Sequence, residues 1–516
     1  MGFRTRCLWA VGIVAALSAH ATAQGVKDVA HTRSGWVKGV IDGGILAFRG
    51  IPFAAPPVGA LRWKPPAPPP GWSGIRDASA FGNKCPQFEA TGPIGNEDCL
   101  FLNVFKSAQG EGDDDEPVMV FFHGGGNQGG SSSGQRFDDP ALATHGVIVV
   151  TAQYRLGALG FFTHPLLTIE GGGSSGNYGL MDQIAALTWV RDNIKAFGGD
   201  PERVMVFGVS SGGGDVQFLL TSPEARGLFS RAGMESAARV SGLTPKLADA
   251  EAADAPLIAL LGCDQVADVL GCLRAVPADT IVNAQTTAEN NLGLPLNPVL
   301  EPRISPEDPF EALQRRGTPV PLLIGSTREE STGLFDDATM PLDANGYVAA
   351  IHAGYDYYGA DVADHILSLY PVESYDAPIY ALIAVDSDFA VTCRTREVAR
   401  AALGRRPVWR YLFTHRVEND PYLNAQRAFH TEETYYVFGH PDQLDTPSAG
   451  EIQLSNRMVD YWTRFATAGD PNGPGNPHWP RYGEDDQILQ IDESSVPING
   501  YHNPQCDYLS PYLRVP

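Results

Sequence analysis

From residue 118 onward the chain alternates short apolar runs with stretches of helical periodicity. Val118 to Phe122 is an apolar run that ends at Gly124-Gly125-Gly126, and Val147 to Ala152 is a second. Between Met181 and Phe197, apolar Ile184, Leu187, Val190 and Ile194 recur every three or four positions, which predicts a helix. Val204 to Phe207 reads as a third strand, and Gly212 to Leu220 as the start of another helix. Strand, helix, strand, helix is the signature of an α/β fold with a mostly parallel central sheet and helices on both faces. Leu322 to Gly325 and Val408 to Phe413 predict further strands, and residues 331–405 read as a mainly helical insertion. There is no internal repeat and no clear linker, so residues 24–516 are expected to form one domain. Pro65 to Pro70 and the acidic run Asp113 to Glu116 are expected to be exposed loops.

The first 23 residues stand apart. Arg4 and Arg6 give a basic start, Cys7 to Leu17 is too short an apolar run for a bilayer, and Ala21-Thr22-Ala23 is a small-x-small cleavage pattern. A signal peptide over residues 1–23 implies export, to the periplasm or beyond the cell, and no other stretch approaches a membrane span. The formal charge of −23 argues against nucleic acid or an anionic membrane as a partner, because neutralising phosphates takes Lys and Arg. Without the leader, six cysteines remain: Cys85, Cys99, Cys263, Cys272, Cys393 and Cys506. None forms a Cys-x-x-Cys pair, which removes zinc-ribbon and thioredoxin-type readings, and an even number in an exported chain predicts three disulfides.

The sharpest chemical signal is Gly208-Val209-Ser210-Ser211-Gly212, set directly between a strand and a helix. A serine on that turn projects its hydroxyl above the sheet edge, and the turn needs small residues two places to either side. This selects Ser210 over Ser211, since two before Ser211 lies Val209. The pattern points to an α/β-hydrolase with its helical insertion over the active site. A serine hydroxyl needs a base and an oxyanion site. His123-Gly124-Gly125-Gly126 supplies backbone N–H groups that approach a substrate carbonyl closely, with His123 shaping the loop. No Gly-Lys-Ser/Thr and no Rossmann spacing accompany these glycines, so a phosphate cradle is excluded. The α/β-hydrolase order is serine, acid, histidine. That leaves His352, His365, His415, His430, His440, His478 and His502 as candidate bases.

Several ordered motifs resemble the type-B carboxylesterase/cholinesterase family over nearly the whole chain beyond the leader. Phe48-Arg49-Gly50-Ile51-Pro52 with Ala54-Ala55-Pro56-Pro57 is similar to its N-terminal hallmark, and Glu97 to Val104 to one of its signatures. Asn177 to Gln183, Phe197 to Pro201, Trp462, Phe465-Ala466 and Gly469 to Asn472 continue the match. Gly325 to Glu330 resembles the segment whose second acidic residue is the triad acid. Phe429-His430-Thr431-Glu432-Glu433 resembles the segment of the catalytic histidine.

The resemblance thus implies a Ser210, Glu330 and His430 triad, with oxyanion donors from the N–H groups of Gly125, Gly126 and Ser211. It implies Ser236 and Glu433 as supports of the histidine, and ion pairs Arg49 with Glu97 and Arg155 with Asp182. It further implies the disulfides Cys85–Cys99, Cys263–Cys272 and Cys393–Cys506. Three positions depart from the family pattern: Val209 stands where Glu is usual, Ser211 where Ala is usual, and Asn127 where an aromatic or small apolar residue is usual. The implied activity is hydrolysis of neutral carboxylic esters through an acyl-enzyme, with a small-molecule ester as partner and neither cofactor nor metal. A lipase acting on longer acyl chains is the alternative. An inactive cholinesterase-like binding protein is disfavoured because all three triad residues are present. A true cholinesterase is disfavoured because the Cys85–Cys99 loop holds Phe88 as its only aromatic.

Overall fold

A computed structural model of the chain describes residues 28–109, 115–138, 140–292, 296–334 and 342–514, together with Gly2. The leader expected at residues 1–23 therefore lies outside the described residues, apart from Gly2. One sheet dominates. Its strands in chain order are β1 (Val40–Asp42), β2 (Ile45–Pro52), β3 (Phe101–Ser107), β4 (Glu116–Phe122), β5 (Ile148–Ala152) and β6 (Gly199–Val209). They continue with β7 (Arg231–Glu235), β8 (Leu322–Thr327), β9 (Val408–Phe413), β10 (Gln487–Ile491) and β11 (Val496–Asn499). Across the sheet the order is β11-β10-β9-β8-β7-β6-β4-β5-β3-β2-β1. From β5 to β10 all neighbours are parallel, and antiparallel strands flank both edges.

The continuous apolar runs follow from burial on both faces, since successive strand residues point to opposite sides. Val118, Val120 and Phe122 of β4 enter one core together with Val204 and Val206 of β6. Met119 and Phe121 enter the other, with Met205, Phe207 and Val209. On the first face lie α1 (Tyr178–Asn193), through Leu180, Ile184, Leu187 and Val190, and α2 (Ser211–Thr221). On the second lies α3 (Ala449–Ala468), through Leu454, Met458, Trp462 and Phe465. Its start is secured by a capping box in which Ser448 and Glu451 satisfy each other's backbone N–H groups.

Several elements depart from the sequence reading. The helix expected from Met181 starts at Tyr178, and its last turn, Ile194–Phe197, tightens to a 3-10 helix. Strand β7, Arg-Ala-Gly-Met-Glu, has no β-branched residue and carries no local strand signal. It is a strand because Gly233 lets β6 pass: an added Cβ would lie 2.8 Å from Met205 Cε and 2.9 Å from Phe207 Cβ. Glu116, expected in a loop, opens β4. The described part of the 331–405 region is mainly helical as expected, with helices Ala344–Tyr355, Ala360–Leu369, Pro378–Ser387 and Cys393–Ala401.

The structure pairs Cys85 with Cys99, Cys263 with Cys272 and Cys393 with Cys506, the pattern the resemblance implies. Titration of the denatured, unreduced chain lacking its leader should find essentially no thiol; two per chain would contradict this pairing. Cys393–Cys506 spans a separation of 113 residues, against 14 and 9 for the others. Its loss should lower the unfolding free energy most, by up to ~4–5 kcal/mol in the chain-entropy account.

Candidate active site

Ser210 sits where β6 ends and α2 begins, with φ 55° and ψ −128°. A non-glycine residue in that region is strained and persists only when its surroundings hold it. The flanking glycines are the means. An added Cβ on Gly208 would lie 2.6 Å from the Gly212 carbonyl carbon, and one on Gly212 would lie 2.2 Å from the Phe122 carbonyl oxygen. The Ser210 N–H donates to the Glu235 carbonyl at 2.9 Å, which ties the turn to β7.

The other two groups arrive on loops. Glu330 follows β8, and His430 follows β9 after a longer excursion. The loops are joined by a short parallel bridge between Glu329 and Phe429. The Glu329 N–H donates to the Ala428 carbonyl at 3.0 Å, and the Ala428 N–H donates to the Glu329 carboxylate at 3.2 Å. With the loops so fastened, His430 Nδ1 lies 2.5 Å from Glu330 Oε2, and His430 Nε2 lies 2.9 Å from Ser210 Oγ. The second Glu330 oxygen accepts the Thr327 N–H at 2.7 Å. The Glu330 side chain is 1% exposed and that of His430 36%, so the acid is dry and the imidazole accessible. Glu329, the neighbouring carboxylate, is bound by Arg328 at 2.8 Å and stays away from His430.

Burial opposes charge on His430. The Glu330 carboxylate outweighs it through charge and hydrogen bond, Glu433 adds to it, and the imidazole pKa ends above 6.5. Behind the histidine, Ser236 Oγ donates to Glu433 at 2.5 Å and the Tyr411 hydroxyl to the same oxygen at 3.2 Å. Burial, reinforced by the charge of Glu330, pushes Glu433 up to about 7. Glu235, which accepts the Trp462 indole N–H at 2.6 Å, is raised well above the usual carboxylate range by burial and by Glu433.

The glycine loop lies directly against the serine: a Cβ on Gly124 would lie 2.8 Å from Ser210 Cβ and 3.5 Å from its Oγ. Gly125 has φ 117° and an added Cβ there would lie 2.2 Å from the Gly129 oxygen; Gly126 has φ 66°. His123 is buried beneath the loop, where its Nδ1–H donates to the Gly124 carbonyl at 2.8 Å and its ring stacks on Tyr154. Burial pushes its pKa down to about 4. That neutral, enclosed ring shapes the loop. Ser211 Oγ is buried beside the Tyr154 hydroxyl.

Of the three departures from the family pattern, two do not face a substrate through their side chains. Val209 is 2% exposed and packed in the second core. Asn127 is fully buried and bonded to Asp215. One expected ion pair is corrected. Glu97 is held by Arg62, at 2.7 and 2.6 Å, rather than by Arg49, whose guanidinium lies over the Phe81 ring. Arg62 is buried and also donates to the Leu273 and Val276 carbonyls, at 3.0 and 2.6 Å, tertiary contacts that motif matching does not contain. Arg155 does pair with Asp182, at 2.7 and 2.8 Å. Sequence reasoning missed Arg136, which donates to Thr431 and Thr434 at 3.2 and 3.0 Å and so braces the segment after His430. Nothing in its Gly/Ser-rich surroundings signals that contact. Among the described residues, no group of three or more His, Cys, Asp or Glu side chains is placed to hold a metal ion, and no helix is long and apolar enough to cross a membrane.

A serine on a strand-turn-helix elbow, above a parallel sheet covered on both faces, defines the class: this is an α/β-hydrolase. The model of the Carboxylesterase family matches residues 26–509, and the chain belongs to that family of carboxylic-ester hydrolases. It is 36% identical over 491 residues to the para-nitrobenzyl esterase of Bacillus subtilis (strain 168), covering 91% of this chain and 96% of the relative. It is also 36% identical to the fumonisin B1 esterase of Sphingopyxis macrogoltabida, covering 90% and 86% of the two chains. Among solved structures, a PNB esterase superposes with a TM-score of 0.79 at 34% identity, covering 93% of this chain and 99% of that one.

Proposed function

We propose that the chain is an exported serine carboxylesterase that hydrolyses neutral esters through an acyl-enzyme on Ser210. The observation that carries this is the unbroken line Glu330–His430–Ser210, ending beneath a glycine loop. His430 Nε2 takes the Ser210 proton as Oγ attacks the ester carbonyl, and Glu330 holds the Nδ1–H and stabilises the imidazolium. The carbonyl oxygen becomes an oxyanion, met by the N–H groups of Gly125, Gly126 and Ser211. As the tetrahedral species collapses, the C–O bond to the alcohol breaks and His430 returns the proton to the leaving oxygen. A water then gives its proton to His430, attacks the acyl carbon and releases the acid, restoring Ser210. Ser236 and Glu433 support the imidazole from behind. Export rests on residues 1–23 as a leader and agrees with three disulfides.

Preference for neutral esters rests on what surrounds the serine. A quaternary ammonium entering a buried pocket must exchange its hydration for aromatic faces or a carboxylate. Val209, beside the nucleophile, is an apolar core residue, and Phe88, the only aromatic in the Cys85–Cys99 loop, is 46% exposed. The relative from Bacillus is named for a para-nitrobenzyl ester, whose leaving alcohol is uncharged. The test is a panel of p-nitrophenyl esters of increasing acyl length, with butyrylcholine set against an uncharged butyrate of similar leaving group. At ~0.15 M salt, where surface charges act over only ~8 Å, the neutral ester should have the higher kcat/KM. A tenfold preference for the choline ester would defeat the neutral-ester reading, and activity confined to long acyl chains would make the enzyme a lipase.

A further inference from the structure

The three N–H groups assigned to the oxyanion come from two separate pieces of chain. Gly125 and Gly126 lie on the loop after β4, whereas Ser211 opens α2. Donors of this kind work only within ~2.7–3.1 Å of the oxygen they stabilise, and a misplacement of about 1 Å costs on the order of 10² in rate. Glycines have no side chains by which to be held and the widest backbone freedom. Something must therefore fasten the loop to the helix.

The first side chain after the glycine run is Asn127, fully buried with φ 61°. Its Nδ2 donates to Asp215 Oδ1 at 3.1 Å, and its Oδ1 shares the Tyr154 hydroxyl, at 3.2 Å, with the His123 carbonyl, at 2.8 Å. Its carbonyl accepts the Gly157 N–H at 2.7 Å. Asp215 belongs to α2, one turn beyond Ser211, and its other oxygen accepts Gln183 Nε2 of α1 at 2.7 Å. Asp215 is fully buried and pairs with no Lys or Arg among the described residues at hydrogen-bond distance; burial pushes its pKa up to about 7, against the hydrogen bonds from Asn127 and Gln183 and the more distant charge of Arg239. A buried carboxylate without an ion pair is costly and calls for a reason. The chemistry of Ser210, His430 and Glu330 does not use it. We propose that Asn127 and Asp215 form a positioning pair that locks the Gly125–Gly126 amides to the Ser211 amide, setting the spacing of the oxyanion site. This assignment rests on the reading of those amides as the oxyanion donors. It also accounts for Asn127 in a place where the family pattern has an aromatic or small apolar residue: the side chain serves the loop and not the substrate.

The measurements are kcat and KM on p-nitrophenyl butyrate, with active sites titrated, and affinity for a trifluoromethyl ketone. That ketone becomes a tetrahedral oxyanion on the serine. Asn127→Ala and Asp215→Ala should each lose on the order of 10² in kcat, with KM within about threefold and ketone affinity falling in parallel. Because the two residues act through one bond, the double alanine variant should be little worse than either single one. Asp215→Asn should stay within about threefold of the parent. Its amide oxygen still accepts from Asn127, and Gln183 Oε1, which has no partner now, meets the new NH2 after an amide flip. The pair is refuted if the alanine variants merely melt earlier while the titrated enzyme keeps its kcat and ketone affinity. It is equally refuted if the two losses multiply in the double variant. Failure of the broader reading looks different, because the parent enzyme itself would then not be inhibited by the ketone.

Discussion

Ser210→Ala should reduce ester hydrolysis by ~10⁴–10⁶ in kcat with the fold intact, whereas Ser211→Ala should keep most of its activity. The two hydroxyls are neighbours in sequence and differ entirely in surroundings. Ser210 Oγ is 2.9 Å from His430 Nε2 on a strained turn that exposes it, while Ser211 Oγ is buried beside the Tyr154 hydroxyl. Only the backbone N–H of Ser211 is assigned a part in catalysis, and alanine retains it. An organophosphonate should label Ser210. Label recovered on Ser211 would overturn the assignment.

Glu330→Gln should lower kcat by on the order of 10³–10⁴, and Glu329→Gln by far less. Glu330 is the group against His430 Nδ1, whereas Glu329 is spent on Arg328 and the Ala428 N–H, contacts that a glutamine partly reproduces. The pH profile adds an independent check. As the proposed base, His430 works only when neutral, so kcat/KM should fall as pH drops through its pKa. Burial lowers that pKa, the Glu330 carboxylate raises it, and the second effect wins, so the acid limb of the parent enzyme should lie above pH 6.5. Removing the Glu330 charge removes the main raising influence, so the limb of the weak Glu330→Gln activity should move to lower pH. Glu329→Gln should leave it in place. Equal losses in both variants, or an unmoved limb in Glu330→Gln, would mean that the acid has been misassigned.

Much of this protein was legible from its residues because the relevant physics is short-range. Apolar runs at Val118, Val147, Val204, Leu322 and Val408 predict strands, and each holds one, because both faces of the sheet are buried and most side chains there must be apolar, Thr151 and Arg410 being buried exceptions. The elbow at Ser210 follows from steric exclusion within five residues. The glycine loop is equally local. Strand β7 and the two antiparallel edges were not legible in this way. Arg231 to Glu235 is a strand only because β6 and β8 supply its hydrogen bonds and Met205 and Phe207 fill the space above Gly233.

Contacts across long separations mark the boundary. Ser210 and His430 are 220 residues apart, and Glu330 and His430 are 100 apart. Seven histidines fit the chain order, and only family motifs single out His430 before the fold is known. What brings it to Ser210 is the sheet order, which sets β6, β7, β8 and β9 side by side so that the loops after β8 and β9 meet over the elbow. The partner of Glu97, the bracing by Arg136 and the bond from Asn127 to Asp215 belong to the same category. Sequence alone determined the local backbone shapes and the kinds of side chain available for chemistry, because sterics and burial act on neighbours. The tertiary structure decided which of those side chains touch, because a hydrogen bond depends on separations of tenths of an ångström that only the packed sheet and its loops define.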